Sequence, residues 1–223
     1  MVLTRTALES CYLQSLAAQS GIALPIWSDA ELEHSIEQIL AAQPTTGAVC
    51  IFAYGSLIWN PCFQFLESAP AKIYGWHRTF CLWAPIGRGT PENPGLVLGL
   101  KRGGSCHGLV FRLANTNLIP ELLLMWRREM VVGSYIPRWV RLWQGDRLCN
   151  AIAFTVNPSH PCYTGSLTPE QTVRTLATAR GDIGSSADYL QQTLVGLQRY
   201  GIHDRRLASL QQRVEQFQQQ TAA

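Results

Sequence analysis

Apolar positions change their spacing several times along this chain, and each change marks an element. Leu32, Ile36, Ile39 and Leu40 fall at i, i+4, i+7 and i+8, one stripe of a helix. Ser28 and Glu31 have the spacing of a capping box ahead of that stripe, and Pro44-Thr45-Thr46-Gly47 stops it. Residues 1–47 therefore read as an N-terminal helical extension whose work is to cover the main core or a partner. Nothing in it has catalytic shape. From Ala48 the pattern becomes that of a strand: Val49, Ile51 and Phe52 make an apolar run suited to burial on both faces. The run breaks at Tyr54-Gly55-Ser56 and resumes through Leu57, Ile58 and Trp59 to Asn60-Pro61.

Beyond Cys62, glycines and prolines punctuate short apolar runs, the pattern of a curved antiparallel sheet with strands at Lys72–Trp83, Gly95–Lys101 and Cys106–Leu113. Residues 85–94 are too broken for regular structure and form a loop of functional length. Pro120 suits a first helical turn, and the pattern predicts a helix until Gly133. Arg138–Trp143 and Cys149–Val156 flank the hairpin signal Gln144-Gly145-Asp146-Arg147. Thr168, Pro169 and Gln171 open a helix running to about Arg180; a second covers Ser186 to Tyr200, with Gly201 as its stop. Leu207, Leu210, Val214 and Phe217 share one face of a last helix. The chain thus divides into an extension (1–47), a main domain (48–200) and a C-terminal helix with tail (201–223).

Composition narrows the class. With 223 residues, 47% of them hydrophobic and 15% charged, the chain is long enough for a substantial core and leaves polar chemistry to few groups. A formal charge of +3 without any lysine or arginine block argues against nucleic acid or an anionic membrane as partner. The seven cysteines are scattered and form no Cys-x-x-Cys pair, so neither a zinc site nor a thioredoxin-like centre is expected. His77 and His107 stand alone in strand patterns and read as structural or surface residues. No apolar run is long enough to span a bilayer, and Glu9 interrupts any signal-peptide core. The expectation is a soluble, cytoplasmic, reduced protein.

Two stretches carry candidate chemistry. The break after the central strand predicts a tight turn in which Gly55 adopts torsions closed to other residues. Successive N–H groups there would converge on an anion; the alternative is an ordinary turn in a β-rich core. On the helix after Pro120, Glu129 shares its face with Leu122, Met125, Trp126 and Val132, placing a carboxylate on an apolar stripe. Either it is buried against a partner such as Arg128, or desolvation raises its pKa and makes it a base. Arg88 in the long loop is a candidate for an anionic ligand group.

Several of these pieces together resemble one family. Tyr-Gly-Ser-Leu-Ile-Trp at 54–59 is similar to the substrate-loop signature of the γ-glutamylcyclotransferases. The stretch from Gly87 to Gly95, Trp126-Arg-Arg-Glu-Met130 followed by Tyr135, and Asn150-Ala-Ile-Ala-Phe154 point to its ChaC branch, bacterial type. The resemblance runs from residue 48 to about 200. It implies an α+β fold, a small mixed β-barrel with flanking helices. It also implies a lyase activity, cleavage of glutathione to 5-oxoproline and cysteinylglycine, with no cofactor or metal. Glu129 would be the acid/base, Ala53, Tyr54, Gly55, Ser56, Leu57 and Ile58 the loop holding the γ-glutamyl group, and Tyr135 and Tyr163 pocket residues. Two positions depart from the pattern: Ala53 stands where glycine is common, and Leu96 where many relatives have arginine. The second puts strict preference for glutathione over other γ-glutamyl compounds in question. Two rival readings stand beside this one: Ser56 as the nucleophile of an acyl-transfer enzyme, and a non-catalytic sensor of γ-glutamyl compounds. Oligomeric state stays open.

Overall fold

The computed structural model describes residues 3–222. Five strands close into a barrel in the order β1 (Cys50–Ala53), β3 (Gly95–Arg112), β2 (Glu67–Ala84), β4 (Tyr135–Gln144) and β5 (Arg147–Val156). Most pairs are antiparallel, but β1 runs parallel to β5 at Ile51 and Ile152, which completes the ring. The fold is the α+β mixed barrel that the resemblance implied. Ile51, Phe52, Ile73, Leu98, Phe111 and Phe154 are fully buried inside or beneath it, and β1 is covered on both faces as its unbroken apolar run requires.

Three differences from the sequence expectation have local causes. The two strands expected at 95–101 and 106–113 are one strand, β3, crossing Gly103-Gly104 without a break in its pairing to β2. Between Tyr74/Ser105 and Trp76/Arg102 one residue of β2 faces two of β3, and Gly75, Gly103 and Gly104 all have positive φ. The glycines mark a bulge that bends the ribbon; a punctuation reading took them for a turn. The second difference concerns α4 (Leu118–Glu129), which ends at Glu129 with Met130 as cap, four residues before Gly133. Val132 is therefore off the helical face assigned to it. Third, α5 (Pro169–Thr178) stops early because Ala179 is extended, and a two-stranded ribbon of β6 (Arg180–Gly181) and β7 (Gly184–Ser185) follows.

The hairpin between β4 and β5 turns through Gly145-Asp146, as its sequence signal predicts. On one side of the barrel lie α5, α6 (Ser186–Arg199) and α7 (Arg205–Ala222). The N-terminal residues form α1 (Arg5–Glu9), α2 (Tyr12–Gln19) and α3 (Asp29–Ala41). The capping box of α3 is present as expected, and α3 packs on α4, with Trp126 Nε1 donating to Ser35 Oγ at 3.0 Å. No described helix is long and apolar enough to cross a membrane.

Candidate active site

The site lies where β1 ends. After Ala53 the chain makes a turn of 3₁₀ helix, Ser56–Ile58. Gly55 has a φ of −137°, so a left-handed backbone is not why glycine stands there. The reason is space: a Cβ on Gly55 would sit 2.7 Å from the hydroxyl of Tyr189. Ile58 N–H is spent on Gly55 O (3.0 Å) and Trp59 N–H on Ser56 O (3.3 Å). The N–H groups of Gly55, Ser56 and Leu57 find no acceptor among the described residues. Three amides at one turn are thus free for a ligand.

Opposite the turn, the last residue of α4 projects into the same space. Two carboxylates on this helix are shielded from water, and they differ in how they are satisfied. Glu121 is 3% exposed and receives two hydrogen bonds from Arg5 (2.8 and 3.0 Å) and one from Gln64 N–H (2.8 Å). Glu129 accepts no hydrogen bond from the described residues. Its charged neighbour is Arg128, whose Nε lies 3.3 Å from Oε1, both side chains being largely shielded. Burial pushes the Glu129 carboxyl above the ordinary glutamate range, and Arg128 only partly offsets this. The C-terminus of α4, the negative end of its dipole, acts in the same direction. Of the alternatives weighed from sequence, the partner Arg128 is present, and the desolvation is present too.

Three tyrosines complete the wall. Tyr54 Oη donates to Phe154 O at 2.6 Å and Tyr135 Oη to Leu98 O at 2.7 Å. Burial drives both phenols well up, and it pushes Tyr189 up to about 12, so all three remain neutral donors at physiological pH. Two adjoining cavities share part of their lining. An inner chamber of about 20 Å³ is bounded by the 54–57 turn, Leu98 and Phe154. An outer chamber of about 160 Å³ reaches past Trp59, Arg88 and Arg128 to the surface. Ser56, Glu129, Tyr135 and Tyr189 line both and mark the junction.

Arg88 comes to the outer chamber on a loop that is far from disordered. Ser186 Oγ donates to Arg88 O (3.2 Å) and accepts from Leu96 N–H (3.1 Å), and Ile183 N–H bonds Gly87 O at 2.9 Å. Its guanidinium is buried over the rings of Trp59 and Tyr189, with centroids at 5.7 and 5.5 Å, and donates to Ser185 O at 3.3 Å. No carboxylate of the described residues lies at ion-pair distance, and burial lowers its pKa. Asp188 is near enough to attract this cation but not to pair with it, which leaves the desolvated guanidinium poised for an anionic ligand group.

Of the residues singled out from sequence, Tyr54, Gly55, Ser56, Leu57, Arg88, Glu129 and Tyr135 meet here. Ala53 and Ile58 do not line either chamber; both are core residues that flank the turn. Tyr163 is turned away. It lines neither chamber, although its neighbour Cys162 lines the outer one, and its ring lies instead beside Lys101, with Nζ 5.4 Å from the centroid. Leu96 is fully buried and touches neither chamber, so that position offers no contact to a ligand. Among the lining residues that escaped the sequence reading are two with polar side chains at the junction, Tyr189 and, as a wall residue, Arg128. The signal for Tyr189 was slight, a hydroxyl on the apolar face of α6 beside Leu190, Thr193 and Leu197.

The closed mixed barrel is the γ-glutamylcyclotransferase type of fold. The crystal structure of a yeast γ-glutamylcyclotransferase specific to glutathione superposes with a TM-score of 0.72, over 77% of this chain and 97% of that one; at 20% identity the likeness concerns the fold alone. The model of the family described as ChaC-like protein matches residues 49–217, and the chain belongs to that family. It is 42% identical over 185 residues to the glutathione-specific gamma-glutamylcyclotransferase of Escherichia coli (strain K12), 80% of each chain being covered. Against glutathione-specific gamma-glutamylcyclotransferase 1 of Mus musculus it is 30% identical over 161 residues, 67% of this chain and 72% of that one.

Proposed function

We propose that this protein is a glutathione-specific γ-glutamylcyclotransferase, a lyase releasing 5-oxoproline and cysteinylglycine, with Glu129 as its general acid/base. The observation that carries the assignment of Glu129 is its contrast with Glu121: two shielded carboxylates on one helix, of which only the one in the pocket lacks hydrogen-bond donors. The nucleophile belongs to the substrate. Glu129 takes a proton from the α-ammonium; the freed amine attacks the γ-carbonyl carbon and a five-membered lactam closes. The bond from that carbon to the cysteinyl nitrogen breaks as the carboxyl returns its proton there, and the second proton, shed by the lactam nitrogen, passes by way of the same carboxylate to the departing amine, which leaves as an ammonium. The substrate's own reach makes this a matter of positioning. The amides of Gly55, Ser56 and Leu57 hold one anionic centre of the γ-glutamyl group, and Arg88 a carboxylate of the peptide.

The reading in which Ser56 is a nucleophile lacks its base, since no histidine is among the residues lining either chamber. A sensor would gain nothing from a carboxylate kept short of partners beside the turn. The deciding experiment is incubation of purified protein with glutathione and detection of 5-oxoproline by mass spectrometry, for the wild type and for Glu129→Gln. Release by the first and a loss of about 10²–10⁴-fold in the second is expected. Equal rates would remove Glu129 from the chemistry, and binding of glutathione without product would favour the sensor.

A further inference from the structure

The outer half of the pocket is closed by chain that the family model does not cover. The ChaC-like match begins at residue 49, yet Leu3, Leu13 and Ile22 line the outer chamber. The sequence offered no reason to connect this extension with the site. Its attachment is firm. Arg5 holds Glu121 through two hydrogen bonds, Arg127 Nη1 donates to Glu9 O at 3.1 Å, and Asn60 Nδ2 donates to Leu3 O at 2.8 Å. Leu3, Leu8, Leu13 and Ala17 form one buried cluster with Leu124 and Val131. An arm anchored by both polar bonds and apolar burial stands as part of the pocket's masonry.

We propose that α1, α2 and the segment through Ile22 are the selecting wall of the leaving-group half of the pocket, admitting peptides whose residue next to the γ-glutamyl group is compact and uncharged. The inference rests on the cyclotransferase reading. Glu129 and the free amides flank the junction of the chambers, so the bond to be broken lies there. Whatever follows the leaving nitrogen extends outward into a chamber whose apolar lining comprises Leu3, Leu13 and Ile22 of the extension, Val131 and Val132 packed with them, and Val97 of β3. The charged groups of the chamber are engaged, Arg88 with the peptide carboxylate in this reading and Arg128 with Glu129, so a further charged side chain entering among these six apolar residues is desolvated without compensation. A side chain too large for the gap must displace packed neighbours. The side chain of a cysteine meets both requirements.

The test compares glutathione with S-ethylglutathione, which share the γ-glutamyl group and the terminal glycine and differ at the side chain facing the wall. For full-length wild type, Ile22→Ala and Ile22→Phe, kcat/KM is measured for each substrate from 5-oxoproline release. Ile22 is only half-buried, so both variants are expected to fold. Ile22→Ala should raise the ratio of S-ethylglutathione to glutathione by about 10-fold, the scale of one or two methylenes in an apolar pocket, and Ile22→Phe should lower it. The ratio is unmoved by a general loss of stability or of catalysis, which affects both substrates alike. Ratios equal to wild type in both variants, with glutathione still cleaved, overturn the wall and leave the cyclotransferase reading standing. Absence of 5-oxoproline from every peptide, wild type included, overturns both.

Discussion

As the proposed base, Glu129 sets the pH response expected of the protein, and the direction follows from its desolvation. A base must be ionised to act, so kcat/KM is expected to fall on the acid side through a pKa above the ordinary value of about 4.3. Stability has the opposite sign. A carboxyl whose folded pKa is raised favours the folded state while protonated, and that contribution is lost as pH rises through the folded pKa. At pH 7.5, then, the ionised carboxylate is a burden on the fold. Glu129→Gln should melt at or above the wild-type temperature there, and the advantage should shrink toward pH 4; a lower melting temperature at pH 7.5 would show that the charge is well solvated after all. A second test concerns Gly55. Adding a methyl group there directs it at the Tyr189 hydroxyl, so Gly55→Ala should lose most activity, while the double variant with Tyr189→Phe recovers part of it. Additive losses in kcat/KM would mean that the two residues do not share one space.

At the scale of elements, α4 is the piece that ties the site to its surroundings. Its first half carries Glu121, the bolt for α1, and its last residue is the proposed base. Arg5→Ala leaves Glu121 buried with one remaining donor and should cost about 1–3 kcal/mol, an estimate kept low because Arg5 is itself partly exposed. Urea unfolding of the variant measures it. Much at this scale could be read from sequence. Capping boxes at Ser28 and Thr168 and the two-residue turn at Gly145-Asp146 are local chemistry, settled within a few residues, and these elements lie where their signals stand. Glu129 was legible too, because a carboxylate on an apolar stripe is visible in the periodicity. What stayed hidden depends on residues distant in the chain. Tyr189 looks like core until α6 is laid beside the turn at Ser56–Ile58. The placement of Tyr163 depends on its bridge to Leu82, a pairing that no pattern around 160 encodes. Gly103-Gly104 reads as a turn unless the partner strand is known to run on beside it.

Across the whole molecule, one side chain joins barrel, turn and C-terminal helix. Arg78, on β2 and 5% exposed, donates to Asp204 Oδ2 (2.8 Å) ahead of α7, to Tyr54 O (2.8 Å) at the mouth of the turn, and to His107 O on β3. Arg78→Leu strands a partly buried carboxylate and two carbonyls. The expected loss is about 2–4 kcal/mol, and thermal unfolding should register it at roughly 2–4 °C for each kcal/mol. Because Tyr54 O is one of the three acceptors, KM for glutathione should rise as well, whereas a purely scaffolding arginine would leave KM unchanged.

The ring of strands has one more consequence. With β1 bonded to β3 on one side and β5 on the other, each of the five strands has a bonded neighbour on both sides, and the hoop resists deformation from within. Evolutionary change in such a protein is pushed outward to the rim. A protein built on such a hoop can trade the masonry that overhangs its mouth, and with it the choice of what enters, while the strands beneath stay as they are.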